Sequence, residues 1–129
     1  MDSLENKKKD IKMKKKYIIS GKSSQDFTSA MLNKPQNRRQ FVEPFLKSLN
    51  IEMHEFLFTT GQATNFISIV SAENDEKLEV LCNIVLASGN FSSLSWSRAF
   101  EAEEFQKIFE IGHEKMEKYV SATVIAGTD

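Results

Sequence analysis

The chain has 129 residues, 40% hydrophobic and 27% charged, enough for one domain that buries a core without staples. Its single cysteine, Cys82, excludes an internal disulfide and a cysteine-based zinc site, both of which need several thiols. The formal charge of −1 conceals an asymmetry: residues 1–16 hold seven lysines against three acids (net +4), and the remainder holds ten basic and fifteen acidic residues (net −5), which argues against a phosphate-binding body and hence against a nucleic-acid partner.

Residues 1–15 read as a flexible lysine-rich extension. No apolar run follows the lysines before Tyr17, so the segment lacks the pattern of a secretory signal, and Met13 offers an alternative start. No stretch approaches the ~18 apolar residues of a membrane span.

Tyr17-Ile18-Ile19-Ser20 is β-branched and apolar, is closed by Gly21, and predicts a first strand. Gln25 to Leu32 has room for a turn or two of helix. Pro35 suits the first turn of a helix reaching Leu49, with Phe41, Val42, Phe45, Leu46 and Leu49 as its buried stripe. Pro44 lies inside it and predicts a kink or break near Gln40. Ile51–Thr60 and Phe66–Ser71 read as two strands joined by a hairpin-length connection. Asn74 and Asp75 then start a helix that Gly89 stops. Phe91–Phe100 is a fourth strand, and Glu103–Tyr119 a final amphipathic helix. Residues 120–129 form a tail that reads equally as strand or coil. The order β-α-β-β-α-β-α predicts an α+β, ferredoxin-like βαββαβ domain over residues 16–119, its antiparallel sheet covered by helices on one face, plus the C-terminal helix.

Strict alternation assigns the second strand two apolar sides, Ile51, Met53 and Leu57 against His54, Phe56 and Phe58. The third strand repeats this, with Ile67 and Ile69 against Phe66 and Val70. The fourth sets Leu94, Trp96 and Phe100 against Ser93, Ser95 and Ser97. A sheet apolar on both sides needs something over its second face: a further subunit, the C-terminal helix or an apolar ligand.

Catalytic chemistry is sparse. His54 shares a row with Glu52 and lacks a third ligand, so no metal site is expected. His113, between Glu110 and Glu117 at helical spacing, reads as a surface cluster. Ser20-Gly21-Lys22-Ser23 lacks the upstream glycine of a phosphate loop, and no serine sits in a nucleophile elbow. Cys82 lies in an apolar run and reads as a buried small hydrophobe.

Several stretches carry a resemblance in order along the chain: Tyr17-Ile18-Ile19-Ser20-Gly21-Lys22; Pro35 with Arg38-Arg39; Glu55-Phe56-Leu57-Phe58-Thr59-Thr60-Gly61; Ile67 to Asp75; and Ala87-Ser88-Gly89-Asn90-Phe91 leading to Arg98-Ala99-Phe100 and Glu103-Glu104-Phe105. From Lys16 to Phe105 the chain resembles the GYD-domain family, small ferredoxin-like proteins related in shape to dimeric α/β-barrel proteins. Gly61 is kept, whereas Thr64 and Asn65 stand where the family's name-giving Tyr and Asp fall. The resemblance implies a fold and no particular activity.

These readings describe a non-catalytic, cytoplasmic homo-oligomer, a dimer in the favoured form, without cofactor or metal. It holds a small apolar or aromatic ligand between its sheet and a partner subunit, on His54, Phe56, Phe58, Trp96 and Arg98. The alternative is a small-molecule enzyme of the dimeric α/β-barrel type, with His54 as acid/base and Arg98 binding an anion. It requires a cavity of roughly a few hundred Å³ adjoining His54.

Overall fold

The computed structural model describes residues 14–127, so most of the expected lysine-rich extension lies outside the described residues. Two compact units divide at residue 100, inside the expected domain 16–119. Among the described residues no helix is long and apolar enough to cross a membrane.

The first unit is built from β1 (Lys15–Ser23), α1 (Gln25–Asn33), α2 (Arg38–Ser48), β2 (Glu52–Phe58), β3 (Phe66–Ala72), α3 (Asp75–Ala87) and β4 (Phe91–Ala99). The strands form one sheet in the order β2-β3-β1-β4, and every neighbouring pair is antiparallel. This is the expected α+β, ferredoxin-like plan. The two inner strands, β1 and β3, are the β-branched apolar runs, which suits strands flanked on both edges.

Each helix starts where a short polar side chain satisfies an orphan backbone donor. Ser24 accepts from the Phe27 amide at 3.2 Å, Asn37 from Arg39 at 3.1 Å and Asn74 from Lys77 at 3.2 Å. Cap chemistry moves the start of α2 from the expected Pro35 to Arg38, because Asn37 is the residue able to cap. The expected break near Gln40 is absent, and α2 continues through Pro44 to Ser48. It ends where Asn50 takes φ 58°, and the Asn50 and Ile51 amides donate back to Lys47 O and Leu46 O. Gly89, at φ 80°, ends α3 as expected.

The helices lie on one side of the sheet. Leu46 of α2 and Leu78, Leu81 and Cys82 of α3 join Tyr17, Ile19, Met53, Phe66, Val70 and Ala72 in a single core. Each large aliphatic or aromatic member contributes about 1.5–3 kcal/mol by leaving water. α2 packs against β2, and α3 against β4 and β3.

One register irregularity changes the sequence expectation. Met53 pairs with Val70 and Glu55 with Ile69, leaving His54 as an extra residue in β2. Beyond this bulge the alternation is inverted. Phe56 pairs with Ser68, and Phe58 with Phe66, on the helix-covered face, together with Met53. Phe56 and Phe58 are therefore not on the face opposite Met53, as strict alternation had it. The open face instead carries Glu52, Glu55 and Leu57 beside Ile67, Ile69, Ile18 and the serines of β4.

The second unit contains α4 (Ala102–Lys115), a 3₁₀ turn (Met116–Lys118) and α5 (Ala122–Ala126). The expected helix to Tyr119 stops as α-helix at Lys115, and the ambiguous tail holds a short helix capped by Ser121. Phe105 and Phe109 stack edge to face at 5.0 Å along the apolar stripe of α4.

Gly21 marks the closest strand approach. A Cβ there would lie 2.3 Å from Ser93 O and 2.8 Å from Leu94 Cδ1. Gly21→Ala is expected to destabilise the protein by about 1–3 kcal/mol. Urea unfolding should show a lower midpoint at unchanged slope. Gly112→Ala, in open space on α4, should leave stability level or raise it.

Candidate functional site

Because α2 packs over β2 and α3 over β4, the helix layer has a gap along its middle. It holds a cavity of about 270 Å³. Ile19, Met53, Phe56, Phe66, Ser68 and Leu94 of the sheet form its floor. Val42 and Phe45 of α2 face Leu81 and Val85 of α3 across it. Phe27 of α1, Phe58 and Phe91 meet at one end, and of the lining residues Phe41, Ile84 and Phe58 are exposed, at 62%, 48% and 46%.

The aromatic rings form a continuous cluster. Phe66 meets Phe56 at 5.1 Å, Phe91 at 5.2 Å and Phe58 at 5.3 Å between centroids, and Phe27 stacks on Phe58 at 5.7 Å. Such pairs are worth about 0.5–1.5 kcal/mol each beyond area burial and hold their rings in fixed orientations. Phe27 and Phe91 meet because the Ser24 amide donates to Asn90 O at 2.8 Å, tying the start of α1 to the start of β4.

Few polar groups reach the cavity. Ser68 is buried, and its hydroxyl donates to Glu55 O at 2.6 Å, satisfying a carbonyl beside the bulge. Ser88 donates to Val85 O at 2.5 Å and accepts from the Asn90 amide, so it serves the end of α3. Arg38 is the single charged residue of the lining. Waters in a cavity so lined would find few partners. A sealed void of this volume would cost on the order of 6 kcal/mol, so a closed gap would be an expensive form of filler.

The five residues expected to share a pocket are distributed among three places. Phe56 and Phe58 line the cavity. His54 does not; its Nε2 lies 2.6 Å from Ser71 Oγ, on the open face. The bulge thus separates His54 from the phenylalanines it was expected to accompany, and an acid/base at His54 cannot reach a molecule held among them.

Trp96 and Arg98 belong to a polar cluster over Tyr17. The buried Tyr17 hydroxyl donates to Asp75 Oδ1 at 2.6 Å, and Trp96 Nε1 donates to Glu79 Oε1 at 2.5 Å. The Trp96 and Tyr17 rings meet edge to face at 5.6 Å, and the Arg98 guanidinium lies 5.7 Å from the Tyr17 ring centre. Arg98 Nη1 donates to Lys16 O at 3.2 Å and to Ala99 O. These bonds tie α3 to β1 and β4 and give Arg98 a structural task. Burial, followed by the Asp75 hydrogen bond, pushes the Tyr17 phenol up to about 12.

Other chemical groups are quiet. Burial, then the nearby Glu79, raises the Cys82 thiol to about 11, which keeps it protonated and unreactive at neutral pH. No group of three His, Cys, Asp or Glu able to hold a metal occurs among the described residues. His113 is exposed on α4.

Phe27, Phe45, Phe66, Phe91 and Arg38 were not singled out as site residues in the sequence. Ten phenylalanines in 129 residues were the available signal, and their convergence depends on topology.

The arrangement defines a two-layer α+β domain of ferredoxin-like plan with an aromatic cavity between the layers. The chain belongs to the GYD domain family, whose family model matches residues 17–109. No curated protein and no solved structure matches it. Asn65 accepts from the Ser23 amide and donates to Ser23 Oγ, both at 2.9 Å, and so ties the entry of β3 to the end of β1.

The Tyr17 shift has a consequence for stability. The folded phenol titrates near 12 and the free one near 10, so between these values the unfolded state has lost a proton that the folded state keeps. Stability is therefore expected to fall as pH rises from 10 to 12. Urea midpoints measured across that range should drop less steeply for Tyr17→Phe.

Proposed function

We propose that this protein is a non-catalytic binding module of the cytoplasm that holds a small apolar or aromatic molecule between its sheet and its own helices. One observation carries the reading: an opening cavity of about 270 Å³ walled by phenylalanines, whose other hydrogen-bonding side chains are mostly engaged in holding the fold. Small-molecule sites have this character, mostly apolar with few polar groups. This reading puts the ligand on the helix side of the sheet, where the sequence suggested a place between sheet and partner, because the bulge turns Phe56 and Phe58 toward the helices. The reduced, buried Cys82 is compatible with a cytoplasmic setting.

Indole added to the ¹⁵N-labelled full chain should cause saturable amide shifts concentrated in α2, α3 and the end of β2. Val42→Trp or Val85→Trp, each filling the cavity from one wall, should abolish those shifts while leaving the remaining spectrum folded. Absence of saturable shifts in the wild type, or their survival in both folded variants, would remove the reading.

We further propose that a second copy of the chain covers the open sheet face, giving a homodimer. Leu57, 50% exposed, continues an apolar row with Ile67, and Ile69 and Ile18 lie in the next row. The same face carries Lys16 and Lys22 as well as Glu52 and Glu55, the mixed signs that a self-complementary two-fold contact can match. Native mass spectrometry of the full chain should give a dimer, and Leu57→Lys with Ile69→Lys a folded monomer. A monomeric wild type would overturn this assignment.

A further inference from the structure

We infer that the molecule held in the cavity is a small monoanion, an aryl carboxylate whose carboxylate sits on Arg38. This rests on the proposed binding function and adds the chemical class of the ligand.

Arg38 lines the cavity from the first turn of α2, beside the exposed Phe41. Among the described residues its one polar contact is Nη1 donating to Gln36 Oε1 at 2.6 Å, and its guanidinium lies 5.8 Å from the Phe41 ring centre. Gln36 and Phe41 thereby hold the fork in place while most of its five N–H donors remain available. Among the described residues no carboxylate comes within ion-pair distance of it. The adjacent Arg39 differs, with Nε 3.2 Å from Glu43 Oε2. Nor does helix stability account for Arg38, because a cation in the first turn opposes the helix dipole. Among the described residues its charge is thus unmatched, and nothing else in the cavity lining is charged.

Those features select a ligand. A cation is repelled, and a neutral hydrocarbon leaves the guanidinium unused. A dianion brings more charge than one arginine balances. A carboxylate matches the planar fork with two parallel hydrogen bonds. The body follows from the floor and end wall: Phe56, Phe66 and Phe91 are set edge to face, an arrangement that admits another flat ring more readily than a coiled alkyl chain.

The test titrates the ¹⁵N-labelled full chain with 4-phenylbutyrate, 4-phenylbutan-1-ol and decanoate, with indole as the reference for an open cavity. The acid is expected to bind at least about tenfold more tightly than its alcohol, the range of a charge-assisted hydrogen bond over a neutral one. Arg38→Gln should bring the acid to the level of the alcohol and leave the alcohol within about twofold of wild type. Arg38→Lys, a point charge without the fork, should restore part of the difference. Equal affinity of acid and alcohol in the wild type, with indole still binding, would overturn the anionic ligand and leave the binding module standing. Decanoate binding more tightly than 4-phenylbutyrate would overturn the aromatic body. If indole and all three probes fail, the binding reading falls with it.

Discussion

A strand has a side-chain period of two, so a single inserted residue exchanges the faces of everything beyond it. In this protein that residue is His54. Without the bulge, Phe56 and Phe58 would leave the helix side and Leu57 would enter it. With it, Met53, Phe56 and Phe58 all meet the helices, and Ser68 supplies the hydroxyl that satisfies the Glu55 carbonyl beside the irregularity. The aromatic cluster, the cavity floor and the composition of the open face all depend on this one insertion.

The cavity then follows from how the helices are anchored. α2 is fixed over the β2 side by Leu46 and by the Asn50 turn that returns the chain to Ile51. α3 is fixed on the β1–β4 side by Leu78, Leu81 and Cys82 and by the Tyr17–Asp75 and Trp96–Glu79 hydrogen bonds. The two anchors lie apart on the sheet, and the side chains that come between them from either helix, Val42, Phe45 and Val85, leave the cavity unfilled. Protein interiors are otherwise packed like organic crystals, so an aromatic-walled gap between two well-anchored helices stands apart from the core around it.

The fold was largely legible in the sequence. Apolar periodicity located the strands and the three long helices, Asn74 and Gly89 marked the ends of α3, the order of elements implied the ferredoxin-like plan, and the resemblance of the stretches from Lys16 to Phe105 pointed to the family. The site was less legible for a definite reason. Reading β2 by strict alternation joined His54 to Phe56 and Phe58 and assigned the phenylalanines to the wrong layer. A bulge sets two residues of one strand against one of its partner, and here the Glu55 carbonyl finds the Ser68 hydroxyl across the strands, a property of the pair that leaves no pattern in either strand alone. The start of α2 was misplaced for a simpler reason: Pro35 is a good first-turn residue, but Asn37 is the better cap, and the cap decides.

The open face and the cavity are opposite sides of the same two strands. Leu57 and Phe58 are consecutive residues pointing into different layers, as are Ile67 and Phe66 beside them. A partner over Leu57 and Ile67 and a molecule against Phe58 and Phe66 would therefore touch the same short length of backbone without touching each other. Such an arrangement separates assembly from binding in composition, since acids and lysines lie among the aliphatics of one side, whereas the cavity on the other is rich in phenylalanine and has Arg38 as its single charged residue. A ligand and a partner that each ordered the end of β2 would still be coupled, because each would reduce what the other must order. By linkage any such coupling is reciprocal, and the one-residue bulge that sorts the two faces also sets the strand through which it would pass.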